Sequence, residues 1–110
     1  MNPVIYGSTT QGELLAQLAE ECSELAQAAL KLRRAITVGA SPTDTKPSFA
    51  FAHFREECAD VLLTMHYATN GEIVICASRD IEEMARQKEK RWAKRIQEGM
   101  KWNENSESTP

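Results

Sequence analysis

The chain has 110 residues, 42% of them hydrophobic and 26% charged, with a formal net charge of −3. This length holds one domain rather than two independent cores, and the composition excludes wholesale disorder. The acidic balance argues against nucleic-acid binding, which leans on a basic surface, and no apolar run approaches the roughly 18 to 20 residues that cross a bilayer.

The first clear element opens at Thr10-Gln-Gly-Glu13, which has capping-box spacing: the threonine side chain accepts from an early backbone N–H while Glu13 reaches back. Leu14, Leu18, Cys22, Leu25, Ala29 and Leu32 then recur at helical spacing, which predicts a helix to about Ala35. Residues 37–48, with one glycine, two prolines and many hydroxyls, read as a loop. A second helix is expected from about Ser48 to Thr69 on Phe54, Cys58, Val61, Met65 and Ala68, stopped by Asn70-Gly71. Residues 72–76 fit a short strand or one more helical turn, with helix preferred. A third long helix is expected from near Ser78 to about Glu98, carrying Ile81, Met84, Ala85, Trp92 and Ile96 on one side. The polar residues 103–110 read as a frayed, flexible tail, leaving one domain over residues 1–102.

Two segments share a pattern. Residues 20–24 read Glu-Glu-Cys-Ser-Glu and residues 56–60 read Glu-Glu-Cys-Ala-Asp, each inside a predicted helix. On a helical wheel with Leu18 at zero, Glu21 falls at about 300°, inside the apolar sector. Glu24 lies at its edge and Glu20 points further out. On the second helix Glu57 sits within the face defined by Cys58, Val61 and Met65, with Asp60 at the edge. Two helices thus aim carboxylates at a shared interior. An uncompensated buried carboxylate costs several kcal/mol, and close like charges push one another toward protonation. A divalent cation relieves both. Oxygen-only ligands suit Mg²⁺, with Mn²⁺ as a substitute.

The third helix has the opposite sign on its apolar side. Lys88, Arg91 and Arg95 fall among Met84, Ala85 and Trp92. Three readings apply to these residues: snorkelling side chains, neutralisation of the acids, or contacts to phosphate oxygens that a metal also binds. The last is preferred. Lys90 and Lys94 read as a solvated face.

Glu20-Glu21-x-x-Glu24, followed by Glu57-x-x-Asp60 on the next long helix and a Lys/Arg-bearing helix after that, resembles the all-α nucleoside triphosphate pyrophosphohydrolases of the MazG-like superfamily. The resemblance covers roughly residues 10–97. It implies an all-α helical bundle of three long helices plus short helical segments, completed by homo-oligomerisation as a dimer or tetramer. It also implies Mg²⁺ ligation by Glu21, Glu24, Glu57 and Asp60, with Glu20 as an extra ligand or the group orienting the attacking water. Lys88, Arg91 and Arg95 would hold the phosphate chain. The implied reaction cleaves a (d)NTP between its α and β phosphates to a nucleoside monophosphate and pyrophosphate, as in nucleotide-pool house-cleaning. The link between the acidic motifs is longer than in compact members, so residues 37–48 are a lid, a subunit contact or an insertion. No motif assigns the base.

The chemistry expected is attack of water on the α-phosphate, with two or more Mg²⁺ ions offsetting the negative charge and Glu20 or Glu21 as general base. The catalytic set is therefore Glu20 and Glu21. Two rivals stand beside it. A di-iron carboxylate bundle needs Glu-x-x-His pairs, but Ala50 and Leu63 lie three residues before His53 and His66. A non-enzymatic helical interaction module would use its polar core residues for pairing specificity alone.

The remaining features are read more plainly. Cys22, Cys58 and Cys76 lack CxxC spacing and fit reduced thiols of a cytoplasmic protein. The first thirteen residues lack the charge-then-apolar pattern of a signal peptide. Cys22 and Cys58 are expected as small core residues, and Trp92 in the core stripe. His53 and His66 are given packing or surface roles. Phe49, Phe51 and Phe54 are expected in the core or a subunit contact. Three Phe, two Trp and two Tyr make a thin core, which adds to the expectation of a homo-oligomer.

Overall fold

Helix punctuation written into the sequence sets the architecture. The computed structural model describes residues 1–37, 45–72 and 79–108, and within them the fold is all-α: four helices and no strand. The chain divides into two compact units, Met1–Ile75 and Cys76–Pro110.

The first unit opens with a helix the sequence pattern did not isolate, α1 (Pro3–Ser8). Asn2 caps it by accepting from the Val4 N–H at 2.9 Å, and Pro3 at the first helical position lacks only a donor that would have gone unused. α2 (Gln11–Ile36) begins as predicted. The Glu13 N–H donates to Thr10 Oγ1 at 3.1 Å and the Thr10 N–H donates to Glu13 Oε2 at 3.3 Å, closing the capping box. Arg33 and Arg34 occupy its last turn, where the helix dipole favours cations.

α3 (Pro47–Ala68) starts one residue before the expected position, with proline at its first turn. Its end is a Schellman motif. The Gly71 N–H donates to the His66 carbonyl at 2.8 Å and the Asn70 N–H to the Tyr67 carbonyl at 3.1 Å. This turn needs positive φ at Asn70 (56°) and Gly71 (80°), which explains the Asn-Gly stop. Residues 38–44 and 73–76, which include most of the predicted loop and nearly all of the strand-or-helix segment, lie outside the described residues.

α2 and α3 pack along each other and run antiparallel. Gln11 at the start of α2 donates to the Ala68 carbonyl at the end of α3 at 3.3 Å. The seam is built of small side chains: Ala28, Ala50 and Ala68 are buried, joined by Val61 and Tyr67. Alanines let the two backbones approach closely, but they bury little area each, so the core is thin. α1 is tied to this pair where the Asn2 N–H donates to the Tyr67 hydroxyl at 2.6 Å. Leu14, Leu18, Leu25, Leu32, Phe54 and Met65 are half-buried, as their spacing implies. Cys22 is exposed rather than in the core, and Cys58 is half-buried.

The second unit is α4 (Arg79–Ser108). It runs past Glu98, so residues 103–108 extend the helix where their composition suggested a frayed tail. Its apolar stripe is solvent-facing: Ile81, Met84, Trp92 and Ile96 are all exposed, Trp92 by 67%. Trp92, expected in the core stripe, is thus exposed on α4.

Candidate metal centre

The α2–α3 seam is apolar except where it carries acid. Glu21 projects from the middle of α2 and is half-buried; Glu57 projects from α3 and retains 9% of its surface. Asp60 lies one turn further along α3 and is exposed. One carboxylate oxygen from each of Glu21, Glu57 and Asp60 falls within 4.8 Å of the others. This convergence follows from antiparallel pairing, which sets the first half of one acidic motif against the second half of the other.

The hydrogen bonding of the three is incomplete. Glu21 Oε1 accepts from Gln17 Nε2 at 2.7 Å, while Glu21 Oε2 is buried with no partner among the described residues. Glu57 Oε1 lies 3.8 Å from His53 Nε2, and Glu57 Oε2 is likewise buried and orphaned. Two unsatisfied carboxylate oxygens in one seam are expensive, because each has lost its water without gaining a donor. The electrostatics agree. Glu24, itself exposed, has its carboxyl held above the ordinary carboxylate value, first by the charge on Glu21, then by desolvation and by the charge on Glu57.

Such a set can hold a hard cation. Oxygens about 2.1 Å from one Mg²⁺ lie at most about 4.2 Å apart, so adjustments of a few tenths of an ångström close the triad. Among the described residues no histidine or cysteine joins the three, and an all-carboxylate set suits hard cations better than soft ones.

The four expected ligands are thus distributed unevenly. Glu21, Glu57 and Asp60 converge; Glu24 stands outside the triad but within its field. Glu20 is exposed on the outer side of α2, as its wheel position implies. Lys88, Arg91 and Arg95 are exposed on one face of α4, where with Trp92 they line a surface hollow of about 300 Å³.

From the sequence, no role in the site is expected for Lys31 and Arg34, and only a packing or surface role for His53. Lys31 and Arg34 of α2 and His53 of α3 line a hollow that Glu24 and Glu57 also line. The signal was available: positions 24, 27, 31 and 34 form one stripe on α2, and His53 precedes Glu57 by one turn. Compared with models of known families, with curated proteins and with solved structures, the chain matches none.

Proposed function

We propose that the chain is a Mg²⁺-dependent nucleoside triphosphate pyrophosphohydrolase that converts a (d)NTP to a (d)NMP and pyrophosphate. The observation that carries this reading is the convergence of Glu21, Glu57 and Asp60, each with one carboxylate oxygen within 4.8 Å of the others, beside two oxygens, Glu21 Oε2 and Glu57 Oε2, that are buried and unpartnered among the described residues. Among the described residues neither Glu21 nor Glu57 has an ion pair to a lysine or arginine, as a merely structural network would supply.

Glu21, Glu57 and Asp60 hold the cation, and Glu24 adds charge beside them. When bound, Mg²⁺ offsets the negative charge of the triphosphate and acidifies water. Glu20 or Glu21 accepts at a carboxylate oxygen the proton of the water that attacks the α-phosphate. The bond to the bridging oxygen breaks and pyrophosphate departs. Lys88, Arg91 and Arg95 present three cations on one helix face, a set suited to phosphate oxygens.

The working form we infer is a homo-oligomeric helical bundle, dimer or tetramer. The thin seam supports this, together with the exposed Leu30, Ile36, Phe49, Phe51, Leu62 and Leu63 on α2 and α3.

The test is a panel of canonical and modified dNTPs incubated with the purified chain and Mg²⁺, followed for pyrophosphate release. The expected result is release from at least one nucleotide, lost in Glu57→Gln with the helical circular dichroism intact. Pyrophosphate from none of the panel, or full activity in Glu57→Gln, would remove the assignment.

A further inference from the structure

A hollow of about 460 Å³ opens between α2 and α3, lined by Glu24, Gln27, Lys31 and Arg34 from one helix and His53 and Glu57 from the other. One end is anionic and the other cationic, yet the ends do not neutralise each other. Neither Lys31 nor Arg34 forms an ion pair among the described residues. Glu57 lines this hollow with its side chain 12% exposed and its Oε2 unpartnered among the described residues. Uncommitted cations and an unsatisfied carboxylate lining one cavity imply an occupant that satisfies both: a cation toward the acids and an anion toward Lys31 and Arg34.

The geometry of the helix sharpens this. Lys31 lies seven residues beyond Glu24, about 10 Å along the axis. Helical side chains lean toward the N-terminus, so those of Lys31 and Arg34 lean back toward Gln27 and Glu24, and their reach shortens the gap. Arg34 offers a planar fork that matches two phosphate oxygens, and Lys31 a mobile point charge. Gln27 and His53 line the same hollow and can donate hydrogen bonds there.

We propose that Lys31 and Arg34 form the subsite for the distal phosphates of a metal-bound polyphosphate, with His53 and Gln27 at its wall. This deepens the reading of the site as a triphosphate hydrolase and rests on it. The ligand class is a di- or triphosphate chain carrying a divalent cation. A single phosphate spans too little of the hollow to touch both ends.

The test uses the full chain and methylenediphosphonate, whose P–C–P bridge does not hydrolyse, titrated calorimetrically with and without Mg²⁺. Mn²⁺ binding is followed separately by electron paramagnetic resonance. Lys31→Gln/Arg34→Gln keeps both stems and removes both charges; Lys90→Gln/Lys94→Gln removes the same charge from α4. The expected result is a loss of diphosphonate affinity of about tenfold or more in the first variant, with Mn²⁺ affinity unchanged and the second variant like wild type. Lys31→Arg/Arg34→Lys should restore most of the binding. Equal affinity in Lys31→Gln/Arg34→Gln and wild type would overturn the subsite, as would wild-type protein that binds no diphosphonate. Should wild type bind no Mn²⁺ yet lose metal-free diphosphonate binding in Lys31→Gln/Arg34→Gln, the metal reading would fail and the subsite would stand.

Discussion

The α2–α3 pair and α4 handle acidic residues in opposite ways. On α4, Glu82, Glu83 and Glu98 are exposed and matched within the helix: Arg86 approaches both Glu82 and Glu83, and Lys94 approaches Glu98. In the α2–α3 seam, Glu21 and Glu57 are drawn out of water, face a third carboxylate and have no ion pair to a lysine or arginine among the described residues. Charge on a solvated helix is cheap and worth little, whereas charge in a dry seam is costly unless something outside the chain completes it. The contrast therefore locates a binding site by its expense.

The largest effects should come from Glu57. Beyond abolishing turnover, Glu57→Gln should change how the fold responds to metal. Wild-type protein should gain about 2.7 kcal/mol at a Mg²⁺ concentration a hundredfold above its dissociation constant, which raises the thermal midpoint by about 4–8 °C per kcal/mol for a unit of this size. Glu57→Gln should show no such rise, and without metal it should melt at or above the wild-type midpoint because a buried charge is gone. A metal-free variant clearly less stable than wild type would mean that the carboxylate is satisfied in a way the seam does not reveal. The same change on α4, Glu83→Gln, should leave the Mg²⁺ response untouched.

Packing distinguishes the two regions next. Ala28 is 2% exposed where α2 meets α3, so Ala28→Leu forces the helices apart at a cost of about 1–3 kcal/mol and should weaken Mn²⁺ binding with it. Ala85 on α4 is exposed, and Ala85→Leu should stay within about 0.5 kcal/mol. Urea titrations of the two variants read both. Equal losses would show that α4 also buries its stripe against a partner surface, as an oligomer would require. A smaller effect belongs to Thr10→Ala, which opens the capping box of α2 and should cost about 1 kcal/mol in the same titration.

Much of this was written locally. Thr10 and Glu13 fix where α2 starts, and Asn70-Gly71 fixes where α3 stops, because each uses short-range hydrogen bonds or φ values that few residues supply. The inward acids were legible too, since a helical wheel needs only the period, and Glu21 and Glu57 are the least exposed of their motifs. What failed depended on how wide a face each helix buries. Cys22 lies on the apolar side of α2, but the seam against α3 is too narrow to cover it. His53 shares a hollow with Lys31 and Arg34 only because α3 returns antiparallel beside α2, a fact no single helix contains. The extension of α4 to Ser108 has a cooperative cause: no proline interrupts the helix, and propagation costs far less than nucleation.

The smallest expected effect tests the cheap half of the comparison. Arg86 Nη2 lies 3.5 Å from Glu82 Oε1 and its Nε 3.8 Å from Glu83 Oε2, with the arginine side chain 62% exposed and the two acids 54% and 58%. At that exposure, solvent screens most of the attraction and the arginine still gives up rotamer freedom, so Arg86→Ala should cost no more than about 0.5 kcal/mol. Raising salt screens the pair further and should narrow the gap between variant and wild type. A loss above about 1 kcal/mol that persists in salt would mean that this stretch of α4 is desolvated in the working protein. Its acids would then be as costly as those of the seam, and expense would no longer single out one site.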